Sequence, residues 1–184
     1  EIGVRLVGSE MCIRDRDEPV KWTLNGSQWT PEFPLSWKDK VNKFSYCAYY
    51  PYSAETTSRS NIPMPDLSLQ KGTLAGLGEF DFLTARCEVS YSETDNGTVS
   101  FTGESSFKHA YSLISITIKK DLPEENVLIS QASFKGDNLF GNSTYHFTES
   151  EAEDGISYLE SPEVDALTLN FEAVSYTHLT LPTT

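Results

Sequence analysis

The apolar positions of this chain recur mostly with a period of two, the signature of half-buried strands, and nowhere hold helical spacing for three turns. Val20-Lys21-Trp22-Thr23-Leu24 alternates and is followed by Asn25-Gly26, a strong tight-turn signal. Phe44-Ser45-Tyr46-Cys47-Ala48-Tyr49-Tyr50 alternates again and stops at Pro51, which cannot donate a ladder hydrogen bond. Residues 53–78 are rich in Ser, Thr, Pro and Gly, with Pro63 and Pro65 framing Met64, and read as a long surface loop with at most one short strand. Strand character resumes over 80–91. Asp95-Asn96-Gly97 then predicts a tight turn into Thr98-Val99-Ser100-Phe101, completing a hairpin. The longest regular run is 107–119. There Ala110, Ser112, Ile114, Ile116 and Ile118 share one face, expected to be core, while Tyr111, Leu113, Ser115 and Thr117 share a half-wet one. Runs at 126–134, 144–148, 155–159 and 166–171 complete eight or nine short strands. With turns and no helices between them, they predict an all-β chain, an antiparallel β-sandwich or barrel.

Both ends fall outside this pattern for a reason written in the codons. Met11-Cys12-Ile13-Arg14-Asp15 is one frame of the DNA element that transposase-based sequencing libraries leave at insert ends, and Val174-Ser175-Tyr176-Thr177-His178 is a frame of its complement. The match extends outward through Val7-Gly8-Ser9-Glu10 and Leu179-Thr180-Leu181-Pro182-Thr183. Residues 1–16 and 174–184 are therefore expected to be translated adapter, and 17–173 a natural fragment open at both ends, large enough for one domain. On this reading Cys12 and His178 belong to no site.

Charge narrows the partners. The 1–16 segment carries equal numbers of acids and bases, so the fragment keeps the net charge of −13. Between 121 and 173 twelve acids face the single base Lys135. Such a chain repels phosphate backbones, which excludes nucleic acid as an expected partner. No apolar run approaches membrane-spanning length.

Motifs for catalysis or cofactors are weak throughout. The stretch 72–78 holds Gly76-Leu77-Gly78 but no strand-turn-helix context and no following Lys-Ser/Thr pair, so it reads as a turn. His109 and His146 share no metal-ligand spacing, and the serines include no Gly-x-Ser-x-Gly elbow. Glu149, Glu151, Glu153 and Asp154 could be nominated as paired carboxylates or, with Gly155, as a calcium loop. A charge run of this kind usually forms a solvated face, and the terminal bidentate Glu is missing. No metal, cofactor or catalytic residue is expected. Cys47 and Cys87 lie in separate strand-like runs and either pair as a disulfide or stay as two buried thiols. Trp22, Trp29 and Trp37, with Tyr46, Tyr49, Tyr50 and Tyr52, crowd the first third. Exposed, the three indoles would suit stacking on sugar faces; alternating on strands, they would fill a core.

Four ordered patterns resemble the fimbrillin family of Bacteroides-type bacteria. They are Trp29-Thr30-Pro31 with Pro34-Leu35-Ser36-Trp37; Phe44 through Ala48-Tyr49-Tyr50-Pro51-Tyr52; Phe80-Asp81-Phe82-Leu83-Thr84-Ala85; and Val99-Ser100-Phe101 leading to Phe107-Lys108-His109-Ala110-Tyr111-Ser112-Leu113-Ile114. Residues 102–106 form an insertion-like departure before the last of these. The resemblance implies the N-terminal domain of a two-domain β-sandwich protein with transthyretin-like Greek-key topology. It further implies an exported lipoprotein of the outer membrane surface that polymerises into a fimbria with other subunits by β-strand exchange. Host or bacterial surface ligands would be further partners, and membrane contact would come only through a lipid anchor outside the fragment. The alternative function is a carbohydrate-binding β-sandwich module of a secreted glycan-utilisation protein, using Trp22, Trp29 and Trp37. An acidic calcium-binding adhesion domain is a third.

Overall fold

The structure is a computed structural model, and it describes residues 2–7, 20–26, 28–70, 74–117, 129–135, 142–158, 166–174 and 178–183. The strands in chain order are β1 (Ile2–Val7), β2 (Val20–Asn25), β3 (Gln28–Pro31), β4 (Lys43–Tyr50), β5 (Ile62–Pro63), β6 (Leu83–Ser90), β7 (Lys108–His109), β8 (Ser112–Thr117), β9 (Ile129–Lys135), β10 (Ser143–His146), β11 (Gly155–Tyr158), β12 (Ala166–Val174) and β13 (His178–Thr183). Apart from single helical turns such as Leu77–Phe80, the described residues are strands and connections, and β1–β2, β1–β4, β2–β3, β4–β6, β6–β7, β5–β10, β8–β13 and β9–β12 all pair antiparallel. The fold is the all-β sandwich class that the period-two pattern predicts.

Two compact units divide the chain. The first comprises Glu1–Met64, Phe82–His109 and Thr144–Ser157. It is built on a six-stranded sheet ordered β3-β2-β1-β4-β6-β7 and a small sheet ordered β11-β10-β5. β4 and β6 form its centre, paired from Lys43↔Ser90 to Tyr50↔Leu83. Five residues of β4, Phe44 and Tyr46 through Tyr49, are buried, so this strand is covered on both faces. On one face Tyr49 stacks on Phe82, and Phe82 meets Tyr145 of β10. On the other, Phe44 and Tyr46 take edge contacts from Trp37. The second unit comprises Pro65–Asp81, Ala110–Ser143 and Tyr158–Thr184, with β12 paired to β9 and β13 to β8. Its β12 alternates cleanly: Leu167 and Leu169 are buried, while Thr168 and Asn170 bond across to Ser133 and Gln131 on the exposed face.

Three expectations change. Gly97 and Asn96 do adopt the left-handed turn, at φ +81° and +51°. Residues 98–101 nevertheless do not run back as a strand: the single turn Tyr91–Glu93 ends β6 first, and β6 pairs with β4 and β7. A turn signal specifies reversal, not the pairing that follows it. The stretch 53–78 holds the short strand β5, but its Thr56, Ile62, Met64, Leu67 and Gln70 are buried, because sparse apolar residues in a long connection still anchor it. In β8 the isoleucine face is only partly covered. Ile114 is 42% exposed and Ile116 half-buried, because β8 belongs to a two-stranded ribbon, while Tyr111, assigned to the wetter side, is buried just ahead of β8. Ile118 and Lys119 of that run, 126–128 and Leu159 lie outside the described residues, as do Gly72 and Thr73.

Candidate functional site

The first unit gathers chemistry in two places. The β2–β3 hairpin, turned by Gly26 at φ +66°, sets Leu24 opposite Trp29 and Trp22 opposite Pro31. Trp22, Trp29 and Trp37 then line one cavity of about 650 Å3, with Pro31, Pro34, Tyr46, Phe101 and Phe107 among its walls. The three sequence-nominated indoles thus come together, although they do not make a free platform. Trp37 sits edge-on to Phe44, Tyr46 and Tyr91, and its indole N–H donates to the Gly97 carbonyl at 2.8 Å. Trp22 is half-buried, its Nε1 without a hydrogen-bond partner, and Trp29 is 38% exposed.

Beneath the opposite face lies a charged clasp. Arg86 of β6 reaches Asp154 with one guanidinium nitrogen 3.1 Å from both carboxylate oxygens, and donates to the carbonyls of Thr148 and Glu149. Asp154 also accepts the Thr148 amide at 2.6 Å. Both side chains are nearly excluded from solvent. The acidic run that the sequence offers as paired carboxylates or a calcium loop is therefore divided among cations: Glu149 pairs with Arg59, Glu151 with Lys108, and Asp154 with Arg86. Among the described residues no cluster of three or more potential metal ligands occurs. Arg86 is the residue that sequence reasoning missed. A lone Arg in an apolar strand between Ala85 and Cys87 was the available signal.

The cysteines lie on neighbouring strands and on opposite faces. Cys47 is in register with Arg86, and Tyr46 with Cys87, so adjacent-residue alternation points the two sulfurs apart. Both are free thiols, and burial pushes each up to about 11. Burial also pushes the Tyr46 hydroxyl up to about 12. His109 is exposed on β7, while His146 of β10 meets the Ser157 hydroxyl at 3.3 Å.

The profile of the fimbrillin-like family matches residues 7–184, nearly the whole chain. The chain belongs to the fimbrillin-like family. A crystal structure of a candidate cell adhesion protein from Bacteroides ovatus ATCC 8483 shares the fold of this chain at a TM-score of 0.52 and 15% identity. The match takes in 98% of this chain but 65% of that one, so the chain spans about two thirds of its solved relative. No curated protein matches. Among the described residues of this fimbrillin-like chain no helix is long and apolar enough to cross a membrane.

Proposed function

We propose that the chain is a subunit of a bacterial surface fimbria or adhesin that joins its neighbours by exchanging β-strands. Family membership supports the subunit role. The observation that carries the exchange is the occupancy of one lane. Ile2–Val7, read from its codons as adapter, lies as an antiparallel strand between β2 and β4, in register from Ile2↔Trp22 to Val7↔Ser45. His178–Thr183, from the other adapter, pairs residue for residue with β8. On the adapter reading Ile2–Val7 is foreign to the natural fold. A lane that takes such a sequence selects for backbone hydrogen bonding first and for side chains second, as strand donation between subunits requires. Left empty, the same lane would expose two strand edges, a site for uncontrolled association.

On this reading residues 17–173 are the natural part, the N-terminal sandwich domain of a longer exported protein, with transthyretin-like Greek-key topology. Its role is mechanical and not enzymatic. Its partners are other fimbrial subunits and, through the finished fimbria, host or bacterial surface ligands. Its place is the outer membrane surface, held by a lipid anchor outside this fragment. The packing of Trp37 against three rings favours this reading over a carbohydrate module, which needs free indole faces. A chain beginning at Asp17, mixed with a synthetic peptide of residues 1–10, tests the lane. Saturable gain of sheet circular dichroism is the expected result, with concentration-dependent oligomers when the peptide is withheld. Indifference to the peptide and a stable monomer without it would overturn the reading.

A further inference from the structure

The cavity in the first unit lies between the β2–β3 hairpin, Pro34 to Trp37, Tyr46 of β4 and a segment from Gly97 to Phe107. Among the described residues its walls include no charged side chain, in a chain whose net charge is −13. Its volume of about 650 Å3 falls within the range of small-molecule sites.

The space is preformed. The Trp37 N–H to Gly97 carbonyl bond ties two walls that are sixty residues apart in sequence. Gly97 is itself fixed, its N–H held by Thr94 Oγ1 at 3.0 Å. Pro31 and Pro34 stiffen the backbone of the hairpin side. Trp29 and Leu35, each more than a third exposed, leave the walls partly open to solvent.

The wall chemistry selects the ligand. An ionised group entering here would lose water and meet no counter-charge, at a cost that favours exclusion. A sugar ring carries a hydroxyl on most of its carbons, and among the described residues of the wall the side-chain hydroxyls are those of Ser36, Tyr46 and Thr98. Trp22, Trp29, Phe101 and Phe107 instead offer ring surface. We propose that this cavity binds a free, uncharged and largely apolar small molecule containing a ring system, with at most one or two hydroxyl or carbonyl groups. Trp22 and Tyr46 belong to the two strands that β1 joins, so the cavity is tested with β1 in place.

The test titrates the 184-residue chain with N-phenyl-1-naphthylamine, a neutral aromatic dye, exciting tryptophan and reading dye emission. Saturable one-to-one binding is expected. Ser36→Phe and Thr98→Phe, each at an exposed wall position, should weaken it by about tenfold or more, the equivalent of roughly 1.4 kcal/mol. Val41→Ser, at an exposed position outside the wall, should leave it unchanged. Circular dichroism identifies the folded variants, and either Phe variant alone suffices. Dye uptake that never saturates, or that survives a folded Phe variant unchanged, would overturn the site. Displacement of the dye by a neutral oligosaccharide would overturn the ligand class. Co-sedimentation with phosphatidylcholine vesicles that a Phe variant abolishes would reassign the cavity to a membrane-borne chain and overturn the free molecule.

Discussion

Asp154→Ala should destabilise the first unit by about 3–5 kcal/mol, the usual cost of leaving a buried guanidinium without its counter-charge. The site supports the upper part of that range. The Arg86 and Asp154 side chains are only 7% and 6% exposed, so water has little room to replace the carboxylate. Arg86 would keep the Thr148 and Glu149 carbonyls, which engage two of its five N–H donors and leave its charge unbalanced. The Thr148 amide would lose its 2.6 Å acceptor, worth about 1–3 kcal/mol if it stays buried and unpaired. The double substitution Arg86→Met with Asp154→Leu removes the charge together with its partner and should recover most of the loss. Urea unfolding followed by tryptophan emission measures both. All three tryptophans belong to the first unit, so the signal reports that unit alone. With an unchanged slope the midpoint shift converts directly into free energy. A loss under about 1 kcal/mol for Asp154→Ala, or a double variant no better than the single, would refute the argument from burial.

Gly97→Ala should cost clearly more than Gly26→Ala in the same urea assay. Both residues have positive φ, worth about 1–2 kcal/mol, but a Cβ at Gly97 would sit 2.8 Å from the Tyr91 ring and 3.0 Å from Trp37 Nε1, whereas Gly26 meets nothing within 4 Å. Equal losses would show that the Trp37–Gly97 wall yields easily. The Ser90 amide, then Lys43 and the Ser90 hydroxyl, hold the Glu93 carboxyl down to about 2. A depressed carboxyl stabilises the fold above its ordinary 4.5 and loses that effect as pH falls towards 2, so Glu93→Gln should flatten the acid limb of a Tm-versus-pH curve; parallel limbs would contradict this. For the thiols the sign reverses. Folding raises Cys47 and Cys87 from 9 to about 11, so their contribution is complete below 9 and fades as pH rises towards 11. Cys47 should accordingly resist a thiol reagent at pH 8 until urea unfolds the unit, and mass spectrometry after mild oxidation should find no Cys47–Cys87 bond in the folded protein.

The strands were legible because a pleated backbone turns every second side chain to the same face, and that alternation is visible in β2, β4, β6 and β12 without any partner. Turn chemistry was equally local: Gly26 and Asn96-Gly97 take left-handed geometry wherever the chain goes next. The acidic balance, which argues against a nucleic-acid partner, is likewise a property of composition. Periodicity does not reveal whether a face will be covered, and so it misplaced Ile114 of β8 and the buried anchors between Thr56 and Gln70. Nor does it name partners. The placement of Cys47 and Cys87 on opposite faces follows from the β4–β6 register, and the Arg86–Asp154 clasp joins residues 68 positions apart. The gathering of Trp22, Trp29 and Trp37 around one uncharged cavity needs a hairpin, a proline-braced segment and a distant glycine turn to meet. Local sequence determined extension, reversal and charge, because these depend on neighbouring residues alone. Tertiary structure decided which faces were buried and which side chains met, because those depend on segments that only the folded chain brings within contact distance.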